Sequence, residues 1–245
     1  MFENIGEIIL LFWRTLLALP HAWRQRDKVF DQFFEIGNAS LLMVCVLSFF
    51  IGAVIALQTG PILVERSLSS AVGGVVGIAI AKELAPVMMA ILIAGRIGSA
   101  MAAEIGSMRV YQEIDALRTM NINPVHYLVL PRVLAISVAL PMLVVFSILT
   151  GWFGGAVVAN YNHLMDIPFK VFFADLKSLV ELKDVMNGVF KSFCFAVIVG
   201  VVSCHQGLTT IGGPRGIGRS VTKAVVNSIV LIVIFDYILT RFLLK

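Results

Sequence analysis

The chain has 245 residues, of which 59% are hydrophobic and only 14% charged, and its mean hydropathy is +0.94. Soluble domains are about half apolar and about a quarter charged, so a soluble fold is excluded in favour of an integral membrane protein. The net charge of +4 is small and its basic residues sit in short loops, which points to orientation in a bilayer and away from nucleic acid.

Long continuous apolar runs, without strict alternation, predict an all-α polytopic protein. Residues 1–28 read as an interfacial elbow helix: the apolar run 8–19 is interrupted by Arg14, and Trp13, Trp23, Arg24, Arg26 and Lys28 suit a bilayer surface. A sixth span is the alternative. Glu3 and Glu7 replace the basic start of a signal peptide, and no small-residue cleavage site follows. Spans are predicted at about 39–60, closed by Gly60-Pro61, and at 71–95, 129–159, 186–204 and 224–243. The third is long enough to tilt or kink at Pro141. The whole of 1–245 reads as one membrane domain.

Basic residues set the orientation. One side carries Arg14, Arg24, Arg26, Lys28, Arg96, Arg109, Arg118, Arg132, Arg215, Arg219 and Lys223. The other carries fewer: Arg66, Lys170, Lys177, Lys183, Arg241 and Lys245. The N-terminus is therefore expected inside and the C-terminus outside. Residues 168–184 then form a short amphipathic helix on the outer surface.

Residues 82–121 organise the rest. The stretch opens with Lys82, Glu83 and Pro86 inside an apolar run and passes through small residues. It ends in 109–120, where Val110, Ile114 and Leu117 recur at helical spacing among charges. That last segment is expected to be one cytoplasmic helix, lying on lipid or docking in a partner's groove. Glu113 and Asp115 favour a protein over an anionic lipid surface.

Charges inside spans are costly and normally face a bundle interior in pairs. Glu83, Lys191 and Asp236 could therefore form a buried network, either a packing clamp or a polar element that couples helix movement or contacts a lipid headgroup. Gly95, Gly98 and Ala102, and Gly151, Gly154 and Gly155, are spaced for close helix approach, within the chain or between two copies. The run 213–220, GPRGIGRS, nearly matches the phosphate loop, with Arg219 in place of lysine. It lacks the strand and helix of an α/β domain, so it reads as a glycine-rich turn. Cys45, Cys194 and Cys204, and His21, His126, His163 and His205, show neither metal spacing nor a catalytic arrangement. No enzyme active site and no metal or cofactor site is expected.

The runs KELAP (82–86), AGRIGSAMAAEIGSMRVYQEIDALRTMNINPVHYLVLPR (94–132), GGPRGIGRSVTKAVVNSIV (212–230) and DYILT (236–240) together resemble the MlaE/YrbE permease family. These are membrane subunits of ABC transporters that work with MCE-domain proteins. The resemblance implies a homodimer of permeases, each with an elbow helix and five spans. It also implies a cytoplasmic ATPase subunit that binds the ATP and a periplasmic MCE protein. The cargo it implies is phospholipid, moved between the inner and outer membranes and held in a cavity between the two permeases. The cavity wall would include Gln58, Ile62 and Leu63, and Glu83, Lys191 and Asp236 match charged family positions. The coupling helix would be 104–120, with Glu104, Arg109, Glu113, Asp115, Leu117 and Arg118 facing or supporting the ATPase. The alternative is a secondary transporter or channel with a Glu83/Lys191/Asp236 relay, although the chain has no inverted repeat.

Overall fold

The computed structural model describes residues 2–20, 25–163 and 165–243, with side chains from residue 6 onward. Trp23, Arg24 and His21 of the predicted elbow, and Lys245, lie outside the described residues. The described residues are helical almost throughout and contain no strand.

The helices are α1 (Phe2–Leu17), α2 (Arg26–Glu65), α3 (Val72–Ala79), α4 (Ala85–Ile93), α5 (Ser99–Val110), α6 (Glu113–Thr119), α7 (Leu130–Tyr161), α8 (Phe169–Leu179), α9 (Leu182–Leu208) and α10 (Gly213–Leu243). Wider π-helical turns at Ile80–Leu84 and Ala94–Gly98 join α3, α4 and α5 into one helical run, and another at Val125–Val129 leads into α7. Five runs are long and apolar enough to cross a membrane: Arg26–Glu65, Ser69–Val110, Val125–Tyr161, Leu182–Leu208 and Gly213–Leu243.

Several predicted boundaries move. The first span is not closed by Gly60-Pro61, because α2 continues through Pro61 to Glu65 and the chain turns only at Ser67, whose φ is 60°. Its start moves back to Arg26, so residues 26–28 belong to the span and not to the elbow. The amphipathic helix predicted over 168–184 ends at Leu179, and residues 182–184 already belong to α9. The glycine-rich turn shrinks to its start: Gly212 and Gly213 carry φ of +90° and +69°, while Gly216 and Gly218 lie inside α10. The predicted single helix 109–120 is broken at Tyr111-Gln112, where Gln112 adopts φ 62°. Neither residue is a turn former, so tertiary packing sets the break.

Contacts group into two units whose boundaries fall inside helices. One comprises residues 38–89 and 141–192. Here α2 and α7 cross backbone to backbone: a Cβ on Gly52 would strike the Gly151 carbonyl, and one on Gly154 the Phe49 carbonyl. Close contact between helices in lipid depends on such small residues. Ser48 Oγ donates to Ser147 Oγ at 2.7 Å at this crossing, and Trp152 Nε1 donates to the Gly77 carbonyl at 3.2 Å. The glycines at 151, 154 and 155 therefore serve packing within the chain. Helix α8 seats Phe172 and Leu176 against the Gly73-Gly74 face of α3.

Burial pushes the Asp175 carboxyl on α8 above its ordinary value, and its Oδ2 is buried with no hydrogen-bond partner among the described residues. The folded state then binds this proton more tightly than the unfolded chain. Stability from this group is full below the ordinary carboxylate range and falls as pH rises through the raised value. Asp175→Asn should accordingly raise the thermal midpoint in detergent at neutral pH by about 2 °C, with the gain vanishing in acid. A loss at neutral pH would show that the carboxylate is needed there.

The other unit comprises residues 1–37, 90–140 and 193–245. Leu11 of α1, Ile105 of α5, Ile114 of α6, Leu128, Val129 and Val133 at the start of the third span, and Val201 and Cys204 of α9 form one apolar cluster. The elbow helix turns Leu11, Thr15 and Ala18 inward at helical spacing and leaves Ile9, Leu10, Trp13 and Leu17 exposed, a face suited to lipid. Along α10, Gly216, Ser220, Ala224, Ser228 and Ile232 recur every four residues as its buried stripe, and α10 packs along α5. Gly98 lies against Val199 and Ser203 of α9, again a contact within the chain, whereas a Cβ on Gly95 would meet nothing within 4 Å. Lys28 Nζ lies 3.1 Å from the centroid of the Tyr127 ring, a cation–π contact at the start of α2.

Candidate functional site

The second membrane run carries its charges on a widened turn. Pro86 has no N–H, so a regular α-helix here would leave a carbonyl unserved. The chain forms the π turn Ile80–Leu84, closed by the Ala85 N–H on the Ile80 carbonyl. Such turns are common where a helix must present side chains for function. Lys82 and Glu83 sit on it and meet one face of α9. Lys82 Nζ is 2.8 Å from Asp184 Oδ1, and Lys191 Nζ donates to Glu83 Oε2 at 2.7 Å. Asp184, Gly188 and Lys191 are spaced i, i+4, i+7, so they share that face. Between the two ion pairs Gly188 presses against the turn, and a Cβ there would strike the Ala81 carbonyl.

The result is a charged seat of two antiparallel pairs, Lys–Asp and Glu–Lys. The Lys191 side chain is only 3% exposed while Glu83 is 42% exposed, so the base is the deeper partner. Gly188→Ala should push α9 off the turn and loosen both pairs. The expected cost is about 1–3 kcal/mol, as for overpacking elsewhere, read as a lower thermal midpoint in detergent. Gly95→Ala, facing open space, should change nothing; equal midpoints for both variants would show that the close approach is unimportant.

Asp236, the third member of the predicted network, lies half-buried on α10 in the other unit. The pair that sequence reading missed is Lys82–Asp184, because Asp184 falls within the predicted outer helix 168–184. At the end of α2, Gln58 and Ile62 are exposed one turn apart and Leu63 is half-buried. Val54 and Leu57 extend the exposed surface, so Gln58 is the polar member of an apolar patch, with Glu65 exposed one turn beyond Ile62.

The predicted coupling residues divide into two kinds. Arg109 donates to Asp115 Oδ1 at 2.7 Å, Arg118 reaches the same oxygen at 3.4 Å, and Arg132 donates to Glu104 at 2.9 Å. Leu117 packs against the apolar cluster beside the fully buried Ile114. Arg109, Asp115 and Leu117 thus hold α6 to the fold, and Glu104 braces α5 against the third span. The apolar face of α6 is used inside the chain, which corrects the expectation that it lies on lipid or in a groove. The exposed residues in and around it are Tyr111, Gln112, Glu113, Ala116, Arg118, Thr119 and Met120.

A model of the family described as Permease MlaE matches residues 29–242. The chain belongs to the MlaE permease family. Among its relatives, a protein of Rickettsia felis named "Probable ABC transporter permease protein" is 37% identical over 99% of this chain and 93% of its own length. A protein of the same description from Synechocystis is 35% identical over 98% of this chain and 90% of its own. The chloroplastic protein trigalactosyldiacylglycerol 1 of Arabidopsis thaliana is 34% identical over 97% of this chain and 65% of its own.

Within this MlaE-family chain, Tyr111 and Met120 are the functional candidates that sequence reasoning passed over. They are 66% and 67% exposed and flank α6. Their only signal in sequence is an aromatic and a thioether at the two ends of a charged segment, and helical spacing runs both ends into one helix.

Proposed function

We propose that this chain is the membrane subunit of an ABC transporter that moves phospholipids between the inner and outer membranes of a bacterium. Two copies hold the lipid in a shared cavity lined by the first, second and fifth spans. A cytoplasmic ATPase subunit binds and hydrolyses ATP, and a periplasmic MCE-domain protein receives or delivers the lipid. The chain is multi-pass in the inner membrane, with its N-terminus cytoplasmic and its C-terminus periplasmic.

Membership of the MlaE family and the names of its relatives support the ABC permease reading, and the Arabidopsis relative carries a glycolipid in its name. The observation that carries the lipid reading is the end of α2. Val54, Leu57 and Ile62 expose an apolar wall around the single amide of Gln58. Such a wall suits acyl chains with one polar contact and offers little to a hydrated ion. Chain continuity supports coupling: the run Ser69–Val110 carries Lys82 and Glu83 and ends two residues before α6. ATPase closure against α6 would displace that run and shift the cavity between two states.

The test is reconstitution of the complex in proteoliposomes with a fluorescent phospholipid and an MCE acceptor. ATP-dependent transfer is expected, with none when the ATPase is omitted. Transfer driven by a pH gradient without the ATPase would replace this reading with a relay through Glu83, Lys191 and Asp236.

A further inference from the structure

A cavity of about 270 Å³ opens beside the first turns of α10, lined by Glu7, His205, Thr209, Arg219, Ser220 and Lys223 among others. Its residues fall in one unit of the fold, and neither the charged seat nor the α2 wall contributes to it. Glu7 belongs to the elbow helix, and its carboxylate lies 3.1 Å from His205 Nε2.

Three features make this a built site. Arg219 and Lys223 stand one helical turn apart, and neither has an acidic partner among the described residues. Against them the lining offers one carboxylate, Glu7, already engaged by His205. The balance in the cavity is therefore positive. Second, Ser220 is only 8% exposed, and its hydroxyl makes no hydrogen bond among the described residues. A helical serine commonly bonds its own i−4 carbonyl; this one is left for something else. Third, His205 is 5% exposed and its Nδ1 is buried without a partner among the described residues. Buried polar atoms are nearly always satisfied, so the one that is not, on a residue lining this cavity, points to a missing ligand.

We infer that this cavity binds a phosphate group, held by Arg219 and Lys223 with Ser220 Oγ as a neutral donor. The guanidinium and ammonium supply charge-assisted bonds of the kind phosphate oxygens accept best. Glu7 takes Nε2 and leaves Nδ1 as the ring nitrogen without a partner among the described residues. Arg219 and Ser220 are the residues that give 213–220 its likeness to a phosphate loop. Here they act from the side of a helix, with no backbone cradle and no nucleotide fold. The volume fits a headgroup and not a whole lipid. Because Glu7 is shared, an occupied cavity also fixes the elbow helix to α9 and α10. The site is separate from the transport cavity, and the inference does not depend on which lipid is carried.

The phosphate could belong to an anionic lipid headgroup or be free in solution. Calorimetric titration of the purified complex in neutral detergent with dioctanoyl phosphatidic acid distinguishes them. The transport cavity would bind this lipid too, so the readout is the number of site classes. One class should lose affinity at least tenfold in Arg219→Gln/Lys223→Gln, with the other unchanged. Arg215→Gln, outside the cavity, should leave both intact. Competition of that class by inorganic phosphate assigns it to free phosphate; no competition assigns it to the headgroup. Should the double variant not purify as a folded complex, Ser220→Ala with Arg219→Lys is used, expected to weaken the same class. Glu7→Gln removes the opposing charge and should bind as tightly as the wild type or more so. Unchanged binding in the folded double variant, or weaker phosphate binding in Glu7→Gln, overturns the inference.

Discussion

Glu83→Ala should destabilise the folded permease by about 3 kcal/mol, and more than Lys191→Ala does. The two partners of this pair are not equivalent. Lys191 is 3% exposed and Glu83 42%. Removing the acid takes a carboxylate away from a buried ammonium 2.7 Å from it. Taking a partner from the deeply buried member of a pair costs more than taking one from the exposed member, because the charge that remains sits in the poorer solvent. Removing the base leaves a carboxylate that is still partly open, and that loss is smaller. The double variant Glu83→Gln/Lys191→Met should recover much of the stability. Thermal unfolding of all three variants in the same detergent reads the asymmetry. Folded protein that keeps its midpoint in Glu83→Ala while transport fails would sink the clamp reading and give the acid a direct role in transport. Lys82–Asp184 acts on the same turn, so effects at the two pairs should not be additive.

The spans can be read from the chain because apolar runs of that length admit little else. Their register against one another cannot. Lys82, Glu83 and Lys191 stand out as charges inside apolar runs, yet the pairing depends on the face shared by Asp184, Gly188 and Lys191. That face becomes visible only once α9 starts at Leu182, before its hydropathy rises. Pro86 hints that the second span is irregular, but a π turn and a kink leave the same trace in sequence. At the other end, Gly216 and Gly218 argue for a loop by propensity. Packing on α5 and the Ile211 carbonyl, which a Cβ on Gly216 would strike, overrides it. Pro61 is tolerated for a related reason: α2 has only one turn left to run, so the lost hydrogen bond disturbs little. The wall at Gln58 and Ile62 rests in sequence on family resemblance, and helical spacing puts the two on one face. The cavity beside Arg219 combines α1 with α9 and α10, and no local pattern joins residues 7 and 205.

The break at Gln112 changes how the ATPase contact should be tested. If 109–120 were one helix, Glu113 and Asp115 would be equivalent surface acids, and charge reversal at both would probe docking. In the folded chain Asp115 joins Arg109 and Arg118. Its reversal would loosen α6 from the fold, and loss of the ATPase would then say nothing about contact. Tyr111 and Met120 have no such internal duty. They leave a large aromatic and a flexible thioether two-thirds exposed at the ends of α6. Exposed apolar groups of this size beside a charged rim are the usual make-up of an interface centre. Tyr111→Ala/Met120→Ala should therefore leave the thermal midpoint of the permease unchanged and weaken ATPase binding tenfold or more, the loss of a pair of central contacts. ATP-driven lipid transfer should fall with it. Co-purification of the ATPase and transfer both at wild-type levels in that variant would remove α6 from the coupling path and shift attention to other exposed loops on the same side.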